Sequence, residues 1–186
     1  MLSTKIKDAT KEAHQHLEKQ VILKLKAIRS NADYADVLKH FYAYFNAVEK
    51  AIEPYITTSV LPDYAERRNS SYIKADIEEL GGSINELPEA KAPEINNLQQ
   101  ALGALYVMEG SIMGGSIIVQ MLAKYGVEKG VSFFSGYGAQ TGEMWAKFTA
   151  ALNSNAQDEI QENEAIDAAN QTFANFADVF ESASVL

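Results

Sequence analysis

The chain contains no cysteine. Disulfides, iron–sulfur clusters and thiol nucleophiles are therefore excluded, and stability must come from side-chain packing or from a bound cofactor. Helix breakers are few, with 4 prolines and 11 glycines, the glycines clustered between Gly81 and Gly142. The stretches on either side favour helices. Positive charge is also scarce: 16 Lys+Arg face 25 Asp+Glu, a net charge of −9. Such a chain repels a phosphate backbone, which argues against nucleic acid as a partner. Long apolar runs are missing too. Stretches such as Ala101–Met108 are too short to cross a bilayer. Met1–Gln20 is charged and amphipathic, with no apolar core of signal-peptide type. The expectation is a cytoplasmic protein with no membrane partner. There is no phosphate loop, no dinucleotide fingerprint and no Gly-x-Ser-x-Gly. Glu-x-x-His is also absent, which argues against a di-iron bundle.

What remains is an ordinary globular composition, 47% hydrophobic and 22% charged. The length suits one domain over 1–186, able to bury roughly two-thirds of its unfolded surface. Leu2, Ile6, Ala9, Ala13 and Leu17 recur at helical spacing behind a Ser3 or Thr4 cap. A short helix or turn is expected over Val21–Ile28. A long helix follows from Asn31 or Asp33 to about Ile56, interrupted near its end by Pro54. Pro62–Arg68 reads as a short helix, and Ser70 or Ser71 caps another that Gly81-Gly82 stops. Residues 83–92 read as a loop. Pro93 opens a single helix from Glu94 to about Tyr125, and 127–140 is a glycine-rich loop. Two further helices cover Thr141–Leu152 and Gln157–Phe180. No alternating segment supports a sheet, so the fold class is all-α, about seven helices in one domain.

Two segments could carry chemistry. In the first, His14 stands four residues before Glu18, so one ring nitrogen can bond the carboxylate while the other takes a metal. A solvated surface histidine fits the same pattern. In the second, Gly110, Gly114 and Gly115 lie inside a helical run, each costing on the order of 1 kcal/mol relative to alanine. Gly110 and Gly114 share a face and leave bare backbone for a flat ligand, or for a neighbouring helix. Lys7 lies two turns before His14 and could pair with an anionic ligand or simply be solvated. Phe133, Phe134, Tyr137, Trp145, Phe148, Phe173 and Phe176 could line a pocket or fill a core. His40 sits in an aromatic helix and reads as structural.

Taken together these segments resemble the haem oxygenase family. Thr10-Lys11-Glu12-Ala13-His14 is similar to the family's proximal stretch, whose last histidine ligates iron, so the resemblance implies His14 and not His16. Glu18 matches the acidic residue that supports the ligand, and Lys7 matches a lysine that contacts a haem propionate. Glu109-Gly110-Ser111-Ile112-Met113-Gly114-Gly115 resembles the distal helix, and Arg68–Gly81, with Asp76 and Leu80, resembles a further family stretch. Ser111 stands where many members carry an aspartate that organises distal water, which is similar to a bacterial subgroup associated with bilin pathways. The resemblance implies a multi-helix fold with haem between proximal and distal helices. It implies oxidative opening of haem to biliverdin, carbon monoxide and iron, with O2 and electrons from a ferredoxin, flavodoxin or reductase. Haem is then both cofactor and substrate. The catalytic residues would be Gly110, Ser111 and Gly114. Haem contacts would come from Lys7, Glu18, Tyr106, Gly110, Gly114, Gly115 and Phe173, with Lys147 as a second propionate partner. A haem carrier or sensor on the same fold is the alternative; a thiaminase-like enzyme would need the missing cysteine.

Overall fold

The structure is a computed structural model that describes residues 1–183. It is helical, and no strand occurs among the described residues. The elements are α1 (Leu2–Ala9), α2 (Lys11–Lys26), α3 (Asn31–Ile52), α4 (Ser70–Glu79), α5 (Leu98–Met113), α6 (Gly115–Lys124), α7 (Thr141–Ser154) and α8 (Glu159–Ala183), with 3-10 turns at Tyr64–Glu66 and Gly138–Gln140.

Local chemistry sets most of the boundaries. The Ser30 hydroxyl accepts the Asp33 amide at 3.1 Å and caps α3. That helix ends at Ile52 because Pro54 has no N–H for the carbonyl four residues back. Asn69 caps α4, and Gly81 stops it at φ +87°, a conformation that side chains oppose. Six expectations need correction. The first helix expected behind a Ser3 or Thr4 cap divides at Thr10 into α1 and α2, and neither side chain caps it. Asn69, not Ser70 or Ser71, caps α4. Residues 21–26 continue α2 rather than forming a separate piece. Pro62–Arg68 holds only the 3-10 turn. The next helix begins at Leu98, not at Pro93, because Asn97 accepts the Gln100 amide at 2.9 Å, a cap that proline cannot supply. Finally, the single helix expected over Glu94–Tyr125 breaks at Gly114, giving α5 and α6.

Helix α5 is the central rod and packs most extensively on α8. The two are in close contact at Gly103, where a Cβ would collide with the Ala165 carbonyl. An aromatic core lies beside this pair. Phe41 meets Phe134 and Phe176 edge-on at 5.1 Å, and Phe45 meets Phe133 edge-on at 5.2 Å. Helices α1 and α7 are joined by Asn153, whose Oδ1 accepts the Ser3 amide at 2.9 Å and whose Nδ2 donates to the Ser3 hydroxyl at 3.0 Å. By length and composition the run Leu98–Lys124 would suffice to cross a membrane, contrary to the expectation that no stretch would; half of its apolar window is buried in the fold.

The loop after α6 is braced from α4. The buried Asp76 carboxylate accepts the Ser132 amide at 3.1 Å, the Ser132 hydroxyl at 2.6 Å and the Phe133 amide at 2.9 Å. The next residue, Phe134, lays its carbonyl against Gly115, where a Cβ would collide with it. Asp76 thus helps set where α6 starts.

Candidate functional site

Between α2 on one side and α5–α6 on the other lies a cavity of about 460 Å³. Its walls are mainly apolar: Leu17, Val21, Ile22 and Leu25 from α2, Ile117, Ile118 and Met121 from α6, and Trp145, Phe173 and Phe176 from α7 and α8. A volume of a few hundred Å³ with few polar groups is the usual form of a cofactor site.

The polar residues arrive from opposite sides. His14 and Glu18 come from α2, one turn apart, and Ser111 comes from α5. The His14 ring stacks on Phe173, centroids 5.3 Å apart. Glu18 Oε2 lies 3.7 Å from His14 Nε2, so the carboxylate is close but the bond expected from the spacing is not made. His16 points elsewhere; its Nε2 sits 2.7 Å from Glu181 Oε1, and it is not in the lining. Lys7 is the one lysine or arginine among the described lining residues.

Gly110 and Gly114 face His14 across the cavity as bare backbone. A Cβ on Gly110 would meet only the tip of Trp145 at 4.0 Å, and one on Gly114 only the Gly110 carbonyl at 3.6 Å. Neighbouring helices do not fill this strip, so the close-packing alternative fails at these two positions. It holds at Gly115, which faces Phe134 and lies outside the lining. Lys147 is also outside it: its Nζ lies 3.6 Å from Glu143 on an exposed face. The Ser111 hydroxyl donates to the Val107 carbonyl at 3.0 Å, which leaves its lone pairs as acceptors. Tyr106 lines the cavity one turn before Gly110, and burial pushes its phenol above the ordinary value against an opposing contact from Thr10. His40 lies outside the lining, stacked on Phe180 with Nδ1 at 2.7 Å from the Asp36 carbonyl.

The opposite face of α5 presents Glu109, which lines a second cavity of about 320 Å³ with Glu49, Lys50, Tyr64 and Arg68. Glu109 Oε2 accepts from the fully buried Arg67 guanidinium at 2.9 Å. Burial pushes the Glu109 carboxyl up to about 7, and Arg67 opposes the shift. Sequence reasoning missed this pair. The signal was a lone charge inside the apolar run Leu105–Met113, which has to find a partner when buried.

A haem group fits this site on the structure's own terms: a mainly apolar slot, an imidazole on one wall, bare backbone on the other, and one lysine for an anionic edge. The family model for heme oxygenase matches residues 1–182. The chain is 28% identical over 145 residues to a heme oxygenase of Xanthomonas campestris, covering 77% of this chain and 86% of that one. It is 25% identical over 174 residues to heme oxygenase PigA of Pseudomonas aeruginosa, covering 92% and 87%. The fold matches that of the NO- and CO-bound heme oxygenase from Neisseria meningitidis with a TM-score of 0.87 at 21% identity, over 100% of this chain and 93% of that one.

Proposed function

This chain belongs to the haem oxygenase family, and from that premise we propose how its own residues serve the reaction. The enzyme opens haem oxidatively to biliverdin with release of carbon monoxide and iron, using O2 and electrons from outside the chain. The observation that carries the residue assignment is the pairing, across one cavity, of His14 with the bare backbone of Gly110 and Gly114.

Bound haem supplies the iron that activates dioxygen and the meso carbon that is oxidised. His14 would hold the haem iron. Phe173 fixes the plane of its ring, and Glu18 sets a carboxylate 3.7 Å from its Nε2. Gly110 and Gly114 keep the opposite wall free of side chains. Lys7 pairs with a haem carboxylate. Ser111, its proton committed to Val107, offers a fixed acceptor for an ordered water and so holds the proton supply in place. Tyr106 bounds the same wall. Gly115 keeps the α6 start close to the Phe134 backbone, and Lys147 stays available on α7 for a second carboxylate only by leaving Glu143. The donor is a ferredoxin, flavodoxin or reductase, since the chain has no flavin or cluster motif, and the place of action is the cytoplasm.

Titration of His14→Ala and His16→Ala with haem tests the ligand. His14→Ala loses the spectrum of histidine-ligated haem and His16→Ala keeps it; the reverse result overturns the assignment.

A further inference from the structure

Directly behind the wall that Gly110 presents to the cavity, one arginine side chain is buried completely. Arg67 Nε donates to Asp63 Oδ1 at 2.9 Å and Nη2 to Asp63 Oδ2 at 3.2 Å. Nη1 donates to Glu109 Oε2 at 2.9 Å, and Nη2 also reaches the Met144 carbonyl at 3.0 Å. The partners come from three pieces of chain: the turn before Tyr64, α5 and α7. Glu109 immediately precedes Gly110, and Met144 immediately precedes Trp145. Those two following residues are the ones that meet at the cavity, 4.0 Å apart from the position of a Gly110 Cβ to the Trp145 ring. The Trp145 ring also leans on Tyr106 and Phe148, with centroids 5.7 Å away in each case.

A buried ion cluster is a poor device for holding helices together. Apolar residues of the same volume do so equally well or better, because they carry no desolvation cost. A planar guanidinium with its donors committed does something else: it permits only one relative placement of the groups it bonds. Here it fixes the register of α7 against α5 at the one point where α7 forms the cavity wall.

Haem creates a need for such a wall. Its ring is close to fourfold symmetric about the iron, so rotation about the bond to His14 leaves the ligation unchanged. Only contacts at the ring periphery can choose which meso carbon faces the glycine strip. We infer that Arg67 is a positioning residue that holds Trp145 against Gly110, and that Trp145 so held sets the in-plane seating of haem and therefore the biliverdin isomer formed. This rests on the reading of the cavity as the haem site.

The test uses the full chain, in which Trp145 is the lone tryptophan. In the apoprotein, Arg67→Met makes Trp145 fluorescence more accessible to acrylamide while helix content by circular dichroism is retained. With haem and a reductant, Arg67→Met and Trp145→Leu each give a mixture of biliverdin isomers where the unaltered protein gives one dominant isomer. The isomer ratio counts only molecules that turn over, so a loss of folded protein lowers yield without moving it. An unchanged ratio in both variants overturns the inference, as does a changed ratio in Arg67→Met with Trp145 quenching and Trp145→Leu both unaltered. Should Arg67→Met fail to fold, Trp145→Leu decides: a mixture supports the inference and the single isomer overturns it. Failure of the unaltered protein to bind haem in this cavity would instead sink the functional reading.

Discussion

Gly110 and Gly115 stand five residues apart on one glycine-rich run, yet a methyl group has opposite consequences at the two. At Gly110 it meets only the tip of the Trp145 ring at 4.0 Å, with α-helical backbone around it, and alanine is worth about 1 kcal/mol over glycine in a helix. Gly110→Ala therefore raises the apoprotein melting temperature by about 2–4 °C, while it weakens haem binding by occupying the wall. At Gly115 the methyl meets the Phe134 backbone, and overpacking of this kind costs about 1–3 kcal/mol, so Gly115→Ala melts lower. Calorimetry of the two apoproteins and a haem titration of Gly110→Ala check both signs; equal shifts at the two sites would refute the placement. Glu109 supports a second prediction at this scale. Asp63 shares the Arg67 guanidinium, and burial holds the Glu109 carboxyl up to about 7. A carboxyl raised in the folded state binds its proton there more tightly than in the unfolded chain, whose value is near 4.5. The folded protein is thus favoured by protonation at low pH, and this contribution is lost as pH rises from about 4.5 through about 7. Urea midpoints at pH 5 and pH 8 should fall further for the unaltered protein than for Glu109→Gln, which has no such proton to lose. Parallel curves would show that Glu109 is ionised throughout.

At the scale of elements, the distal wall depends on a helix that does not touch the cavity. Asp76 on α4 satisfies two backbone amides of the 132–133 segment, and that segment packs against the start of α6. Asp76→Ala leaves the buried Phe133 amide unpaired, at about 1–3 kcal/mol, and turns the exposed Ser132 amide to solvent. The expected result is a melting temperature lower by about 5 °C, with faster amide hydrogen exchange across 131–136 and α6 and unchanged exchange in α3. Uniformly faster exchange would mean a global effect and no specific brace. The long aromatic α3 was readable from its 3.6-residue period, and its stop from Pro54. The start of α5 was not, because Pro93 and Asn97 are both legitimate start signals and only the bond from Asn97 to the Gln100 amide separates them. Nor was the break at Gly114: the apolar period runs on through it, and the break follows from the Phe134 carbonyl occupying the space beside Gly115.

For the whole molecule, a cavity of about 460 Å³ between α2 and α5–α6 leaves many apolar side chains without partners. A ligand that binds only the folded state stabilises it by mass action, about 2.7 kcal/mol at a hundredfold excess over Kd. Haem should accordingly raise the melting temperature by about 5–10 °C. His14→Ala should lose most of that rise while melting normally as apoprotein, since His14 is more than half exposed and supports little packing. A full rise in His14→Ala would place the iron elsewhere.

The sequence alone determined the helical class, the apolar faces of the first helix and of α3, the excluded chemistries and the two segments that became the candidate site. These follow from local rules: period, capping, proline, and motifs whose spacing survives any packing. It left open whether the glycine strip faced a ligand or a helix, because both uses need the same bare backbone; packing divided it, with Gly110 and Gly114 to the cavity and Gly115 to Phe134. The tertiary structure also decided that Lys147 stays outside the cavity. It alone brought Arg67 to Glu109 across 42 positions of chain. Such choices depend on which surfaces meet after the chain has closed on itself, and no local pattern encodes a partner that far away.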